Sequence, residues 1–193
     1  MMNNLLKLLF LFFFLIITSC SITKKYSVNN ENLVKSYIDA RNNYDIKKIN
    51  TLIEENYNET FIDGSVEIEN KEQLYDQILW GKELDSNIKL LDIQTNGKFV
   101  ITIEENISYL DVALKRKSRK FKIIYTFENN KILSQKIDTL NGYNQILKFN
   151  SERYNKFSKY CEQNNLNYSN NSLNQEFGIH LRKVLEQYKI DNE

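Results

Sequence analysis

Apolar residues recur along this chain with two different periods, and the switch between them predicts the fold. Leu33, Val34, Tyr37, Ile38 and Ala40 follow the 3.6-residue spacing of a helix, with Asn30 placed to cap it. Asp45 is placed to cap a second helix that carries Ile46, Ile49, Leu52 and Ile53 on one face. Alternation then takes over. Tyr57 to Ile62 and Val66 to Glu69 read as short strands around Asp63-Gly64, a dipeptide that tolerates positive φ. Asn70 followed by Gln73 opens a third helix with Leu74, Ile78 and Leu79, ending near Gly81.

Downstream, Ile88 to Thr95, the type I′ signal Asn96-Gly97 and the alternating Phe99, Ile101 and Ile103 predict a hairpin. Lys120 to Glu128 alternates Phe121, Ile123, Tyr125 and Phe127 with mostly polar partners, and Asn129-Asn130 turns the chain into Ile132 to Thr139. Long strands of this kind form an antiparallel sheet with one face against helices and the other partly wet. Past Tyr143 the helical period returns, over Glu152 to Gln163 with Tyr154, Phe157 and Cys161. A last helix is expected to start at Ser172, which forms a capping box with Gln175, and to carry Phe177, Leu181, Val184, Leu185 and Tyr188. These terminal helices are expected to cover the sheet's face or mouth, to pair with a second copy in a homodimer, or to form a small satellite.

The start of the chain follows neither period. Lys7 precedes an unbroken apolar run from Leu8 to Ile17, followed by Thr18, Ser19 and Cys20. A spanning helix needs about 20 apolar residues, so this shorter run reads as a secretory signal over residues 1–19. Ile17-Thr18-Ser19-Cys20 resembles the bacterial lipobox, which implies that Cys20 is lipidated and becomes the first residue of the mature protein. Each acyl methylene buried in a bilayer contributes about 0.8 kcal/mol, so two or three chains anchor stably. Ser21 after the cysteine resembles the outer-membrane class, and residues 20–29 would be a lipidated tether. The implied address is the bacterial cell envelope, on the periplasmic face of the outer membrane.

Composition adds mainly exclusions. With 26 Lys and Arg against 25 Asp and Glu, the formal charge is +1, and removal of Lys7 with the leader takes it to +1 − 1 = 0. There is no electrostatic footprint for nucleic acid. If Cys20 carries lipid, Cys161 has no disulfide partner and is expected to be a buried small hydrophobe. His180, the one histidine, lies at the edge of an apolar stripe and reads as structural; without a companion His or Cys cluster, neither zinc nor another cofactor is expected. The run Lys115-Arg116-Lys117-Ser118-Arg119-Lys120 reads as a solvated hairpin end, or as a contact for anionic lipid headgroups or glycan. Glu104 and Glu105 would point to opposite strand faces and so cannot share one site.

The order of elements, and in particular Leu33-Val34-x-x-Tyr37-Ile38-x-Ala40 followed by Asp45 and the Asp63-Gly64 turn, resembles the nuclear transport factor 2-like superfamily. The resemblance covers about residues 30–142. It implies an α+β cone over residues 30–143, a bent antiparallel sheet wrapped around N-terminal helices, with residues 144–193 as a C-terminal helical extension. Such cones hold a pocket at the open end, used by ketosteroid isomerases, polyketide-cyclase-like enzymes and non-catalytic binders, so fold alone does not assign an activity. The isomerase roles are a carboxylate base and an oxyanion site of a Tyr with a protonated Asp. In an ungapped comparison Tyr37 falls at the oxyanion tyrosine, but Phe61 falls at the base and Ile123 near the acid, and neither can take a proton.

The candidate pocket residues are therefore Tyr37, Arg41, Trp80, Tyr125 and Asp138, with no catalytic residue assigned. The expected function is a non-catalytic, membrane-tethered module that binds a small apolar ligand or an envelope protein. The alternatives are a cyclase-, isomerase- or hydratase-like enzyme using Tyr37 and Asp138, and a structural assembly protein.

Overall fold

The computed structural model describes residues 29–169 and 172–192, so the leader, Cys20 and most of the tether lie outside the described residues. Helix α1 (residues 29–42) leads through a short turn into α2 (Ile46–Leu52). Then come β1 (Ile53–Phe61), β2 (Val66–Ile68), α3 (Lys71–Glu83), β3 (Asn87–Asn96) and β4 (Phe99–Ile107). The chain closes with α4 (Tyr109–Ala113), β5 (Arg119–Glu128), β6 (Lys131–Thr139), α5 (Tyr143–Gln163) and α6 (Gln175–Asn192).

The strands form one six-stranded sheet in the order β2-β1-β6-β5-β4-β3. Neighbours run antiparallel except β1 and β6, which are parallel because all the intervening elements separate them in sequence. Register shifts at Leu90/Asp92 and Thr126/Phe127 mark bulges, the feature that bends and twists a sheet. The concave side wraps α1, and the main core lies between them: Val34, Tyr37 and Ile38 from the helix, Tyr57, Val100, Ile123, Tyr125 and Ile132 from the sheet. Each aliphatic side chain withdrawn in this way contributes about 1.5–3 kcal/mol.

Local chemistry explains most of the boundaries. The Asp45 carboxylate accepts from Lys48 N–H at 2.9 Å, and the Asn70 side chain accepts from Gln73 N–H at 3.0 Å while Gln73 Oε1 accepts from Glu69 N–H at 2.8 Å. These caps satisfy amides that the first helical turn leaves free. Asn129 and Asn130 both have positive φ, 47° and 62°, the requirement of a type I′ hairpin.

Four boundaries differ from the pattern reading. Ile53, grouped with α2 by its spacing, is the first residue of β1 and wholly buried there. Asn96 pairs with Phe99, so the β3–β4 loop is Gly97-Lys98 with positive φ at Gly97 but not at Lys98, the pattern of a type II′ turn instead of type I′. Helix α5 begins at Tyr143, nine residues before Glu152, because Gly142 at φ 88° turns the chain directly out of β6. The cap of α6 is Asn174, whose side chain accepts from Phe177 N–H at 3.0 Å, and Ser172 instead receives a bond from Asn174 Nδ2.

The terminal helices join the end of α3 and α4 in a second buried cluster: Leu84, Leu114, Phe157, Cys161, Leu181 and Leu185. Cys161 is enclosed there, and burial pushes its thiol up to about 11. His180 is exposed and its Nε2 meets the Asn167 carbonyl at 2.7 Å. Helix α6 lies against α3 at Gly178, where an added Cβ would stand 3.0 Å from the Trp80 carbonyl and from Glu83 Cβ. Arg182 fastens the same face, bonded to Asp85 and stacked 3.5 Å from the Tyr109 ring centroid.

Candidate functional site

Alternation along the strands decides what faces the cone's interior. On β1 the inward positions include Tyr57, Glu59 and Phe61; on β4, Thr102, Glu104 and Asn106; on β5, Tyr125, Ile123, Phe121 and Arg119. Register pairing sets the rows: Thr102 lies opposite Ile123, Glu104 opposite Phe121 and Asn106 opposite Arg119. Gln135 and Ile137 complete the wall from β6. Between this wall, Arg41 of α1 and Trp80 of α3 is a cavity of about 290 Å³ that opens to solvent, close to the lower end of small-ligand pockets.

The floor is a hydrogen-bonded network of buried tyrosines and carboxylates. Tyr57 Oη lies 2.6 Å from Glu59 Oε1 and accepts from Gln135 Nε2 at 2.5 Å. Tyr57 has one hydroxyl proton and gives it to Glu59, so Tyr37 Oη, 2.9 Å away, is the donor in the tyrosine pair. Arg41 Nη1 donates to Tyr37 Oη at 3.0 Å and lies 3.4 Å from Glu59 Oε1. Burial pushes the Tyr37 hydroxyl up to about 12 and holds Tyr57 well above the usual phenol range, with Glu59 nearby raising both.

A second branch centres on Glu104, which is 4 % exposed. Thr102 Oγ1 and Tyr125 Oη both donate to its Oε1, at 2.5 and 2.7 Å. Burial raises the Glu104 carboxyl above the usual range, and the two donors only partly oppose that. Both bonds use the same oxygen, leaving Oε2 of this cavity-lining residue without a protein partner among the described residues. The residue thus carries two features of a group that handles protons or hydrogen-bonds a ligand: an oriented carboxyl and a displaced pKa.

Around the upper cavity the polar atoms are not satisfied. Among the described residues, six buried side-chain nitrogen or oxygen atoms lack a hydrogen-bond partner. Asp111 Oδ1 and Arg116 Nε face each other at 3.2 Å as an ion pair, and Glu54 Oε1 lies elsewhere. The other three, Trp80 Nε1, Asn106 Oδ1 and Arg119 Nε, all belong to residues lining this cavity. All three atoms are closed off from the cavity's open space, so they are polar groups packed within its wall.

Of the five residues singled out by pattern, Arg41 and Trp80 line the cavity. Tyr37 and Tyr125 stand behind its wall, Tyr37 reaching it through Arg41, which donates to its hydroxyl, and Tyr125 through Glu104, to which it donates. Asp138 does not join them: on β6 it alternates with the inward Ile137 and pairs with Lys122 at 3.3 Å on the other face of the sheet. Phe61 and Ile123 do line the cavity, as inert groups. Sequence reasoning missed Glu59 and Glu104, although each carried a signal. Glu59 lies between Tyr57 and Phe61 in an i, i+2 series, and Glu104 is the inward member of a pair whose other member, Glu105, turns outward to Ser118 and Lys120. The basic run is likewise divided, with Arg116 on Asp111, Lys117 over the Phe149 ring, Lys120 on Glu105 and Arg119 in the cavity.

No protein-family model matches the chain, and no curated protein matches it. Solved structures do. An LEH-like epoxide hydrolase of M. tuberculosis aligns at 12% identity and a TM-score of 0.52, covering 68% of this chain and 94% of that one. Bal32a, from a soil-derived mobile gene cassette, aligns at 19% identity and 0.51, covering 64% and 98%. An NTF2-like protein of unknown function from Cytophaga hutchinsonii aligns at 17% and 0.44, covering 55% and 86%. At such identities the likeness is one of fold alone, the α+β arrangement of helices against a curved sheet that this chain shares with the epoxide hydrolase and Bal32a.

Proposed function

We propose that this chain is a lipid-anchored protein of the bacterial cell envelope whose cone binds a small ligand without transforming it. The anchoring half rests on the leader and on Ile17-Thr18-Ser19-Cys20. Its test is metabolic labelling with a fatty acid: Cys20→Ala is expected to abolish the label, and a label that persists refutes it. The same label on a product recovered from outer-membrane fractions would support the periplasmic address.

The binding half is carried by one observation, the solvent-open cavity of about 290 Å³ whose lining mixes the apolar Phe61 and Ile123 with Arg41, Glu59 and Glu104. A lining that combines charged with apolar side chains fits a ligand that has polar groups of its own. Trp80 is the chain's one tryptophan and lines the cavity, which makes its emission a direct reporter. Titration of the full chain in detergent with a library of small polar fragments is expected to give saturable changes in that emission. A library that leaves it unchanged refutes the binding reading.

A second reading, acid–base catalysis in the same cavity, is favoured by Glu104 with its raised pKa and an Oε2 that bonds nothing among the described residues. The epoxide hydrolase sharing the fold shows that a cone of this shape can be an enzyme, but it does not transfer that activity. Turnover of any bound compound that is lost in Glu104→Gln would establish this reading over the first.

A further inference from the structure

We infer that the ligand of this cavity is a small organic ammonium whose N–H groups are held by Glu104 and whose apolar body lies against the aromatic wall, an inference that rests on the binding reading above. Three carboxylates line the cavity, Glu59, Glu67 and Glu104, against two guanidiniums, Arg41 and Arg119. Two of the carboxylates already have a cation. Arg41 Nη1 lies 3.4 Å from Glu59 Oε1. Burial and the neighbouring Glu59 push the Glu67 carboxyl up, and Arg119 is the cation that opposes them. Glu104 is the third, and among the described residues it makes no ion pair. The donors on its Oε1 are the neutral hydroxyls of Thr102 and Tyr125.

The other oxygen is the part of Glu104 that a ligand can reach. The residue lines the cavity and is 4 % exposed, and Oε2 bonds nothing among the described residues. Nor is Oε2 closed off as Trp80 Nε1, Asn106 Oδ1 and Arg119 Nε are. An ionised carboxylate only accepts, so its match is a donor, and a positively charged donor also supplies the counter-charge that the wall lacks. A carboxylate or phosphate ligand would add negative charge beside Glu104 and would find Arg41 bonded to Tyr37 and Glu59. A neutral alcohol can donate to Oε2 but leaves the buried charge without a counter-ion.

The walls choose the kind of cation. Among the described residues no three acidic, His or Cys side chains gather as metal ligands do. Rings, by contrast, line the cavity from four elements: Phe61 on β1, Trp80 on α3, Phe121 on β5 and Tyr143 at the start of α5. Phe61, Trp80 and Tyr143 are only part-buried, so aromatic surface is open to an occupant. Such rings attract a cation through their quadrupole and cover the hydrocarbon attached to it. The volume of about 290 Å³ restricts that hydrocarbon to a small one.

The test keeps the ligand's body constant and changes its head group: cyclohexylmethylamine, cyclohexylmethanol and cyclohexanecarboxylate, titrated by calorimetry into the full chain in detergent at neutral pH. The amine is expected to saturate and to bind about tenfold tighter than either analogue. Glu104→Gln keeps the side chain's shape and an acceptor for Thr102 and Tyr125 while removing the charge. It should bring the amine and alcohol affinities together, with circular dichroism confirming the fold; a merely loosened cavity would weaken both alike and leave their ratio unchanged. The series on the parent chain decides the ligand's charge by itself. An amine that binds no tighter than its analogues overturns the inference, and saturation by either analogue then leaves the binding reading standing. A preference for the amine that survives Glu104→Gln in full overturns the inference as well, because the charge is then read elsewhere. Failure of all three probes overturns it too, and the fragment titration then decides the binding reading separately.

Discussion

Tyr57→Phe is the sharpest test of the polar floor, because it removes one oxygen and keeps the ring. Tyr57 is wholly buried, and its hydroxyl sits 2.6 Å from Glu59 Oε1, 2.5 Å from Gln135 Nε2 and 2.9 Å from Tyr37 Oη. The lost bond to a carboxylate is worth about 1.5–3 kcal/mol, and leaving the Gln135 amide unpaired in the core adds about 1–3 kcal/mol. Neighbouring terms overlap, so the expected loss is about 3 kcal/mol. In a domain of this size that lowers the melting temperature by about 6–12 °C. Urea unfolding and thermal circular dichroism on the full chain would measure it. The double variant Tyr57→Phe/Gln135→Met takes away the stranded amide and should recover about 1–2 kcal/mol, because deleting both partners costs less than deleting one. A loss below about 1 kcal/mol for Tyr57→Phe, or a second substitution that deepens the loss, would refute the network as a stabilising unit.

Glu104→Gln should change how stability depends on pH. Burial raises the Glu104 carboxyl in the folded chain, so its stabilising contribution is complete below the unfolded carboxyl value and is lost as pH rises through the folded one. Gln keeps an acceptor for Thr102 and Tyr125 and cannot ionise, so the variant should equal the parent in acid and exceed it at neutral pH; the opposite ordering of urea midpoints would sink the assignment. Gly178→Val should destabilise by about 1–3 kcal/mol and shift Trp80 emission, since even a Cβ there stands 3.0 Å from the Trp80 carbonyl; an unchanged spectrum would show that α6 does not set the position of that cavity wall. Asp138→Asn breaks a partly exposed pair with Lys122 and should cost less than about 1 kcal/mol without altering fragment titration. A weakened titration would return Asp138 to the site.

Much of the fold could be read from local chemistry, because caps and turns are decided by neighbours in sequence. Asp45, Asn70 and Asn129-Asn130 do what their side chains dictate wherever they occur in a chain. The alternation on β5 likewise names its inward residues, since strand geometry permits only two faces. One error fell where a boundary depends on a partner distant in sequence, Ile53 joining β1 because Ile132 lies beside it across a parallel pair; the others, at Gly97, Gly142 and Asn174, are local choices between neighbouring residues that could each turn or cap the chain.

By itself, the sequence determined the two periods, the caps at Asp45 and Asn70 and the inward stripe of β5, whereas on β4 its apolar series Phe99, Ile101 and Ile103 proved to be the outward one. Only the tertiary structure decided which polar residues meet. Tyr57 and Gln135 are separated by 78 positions and share one hydrogen bond, and Gln175 of the last helix reaches Glu83, 92 positions away. Glu59, Glu104, Asn106 and Arg119 each stand on the inward face of their strand, and their convergence follows from strand order and from the bulges that bend the sheet. Those are properties of hydrogen bonding between strands, and no single strand's sequence contains them.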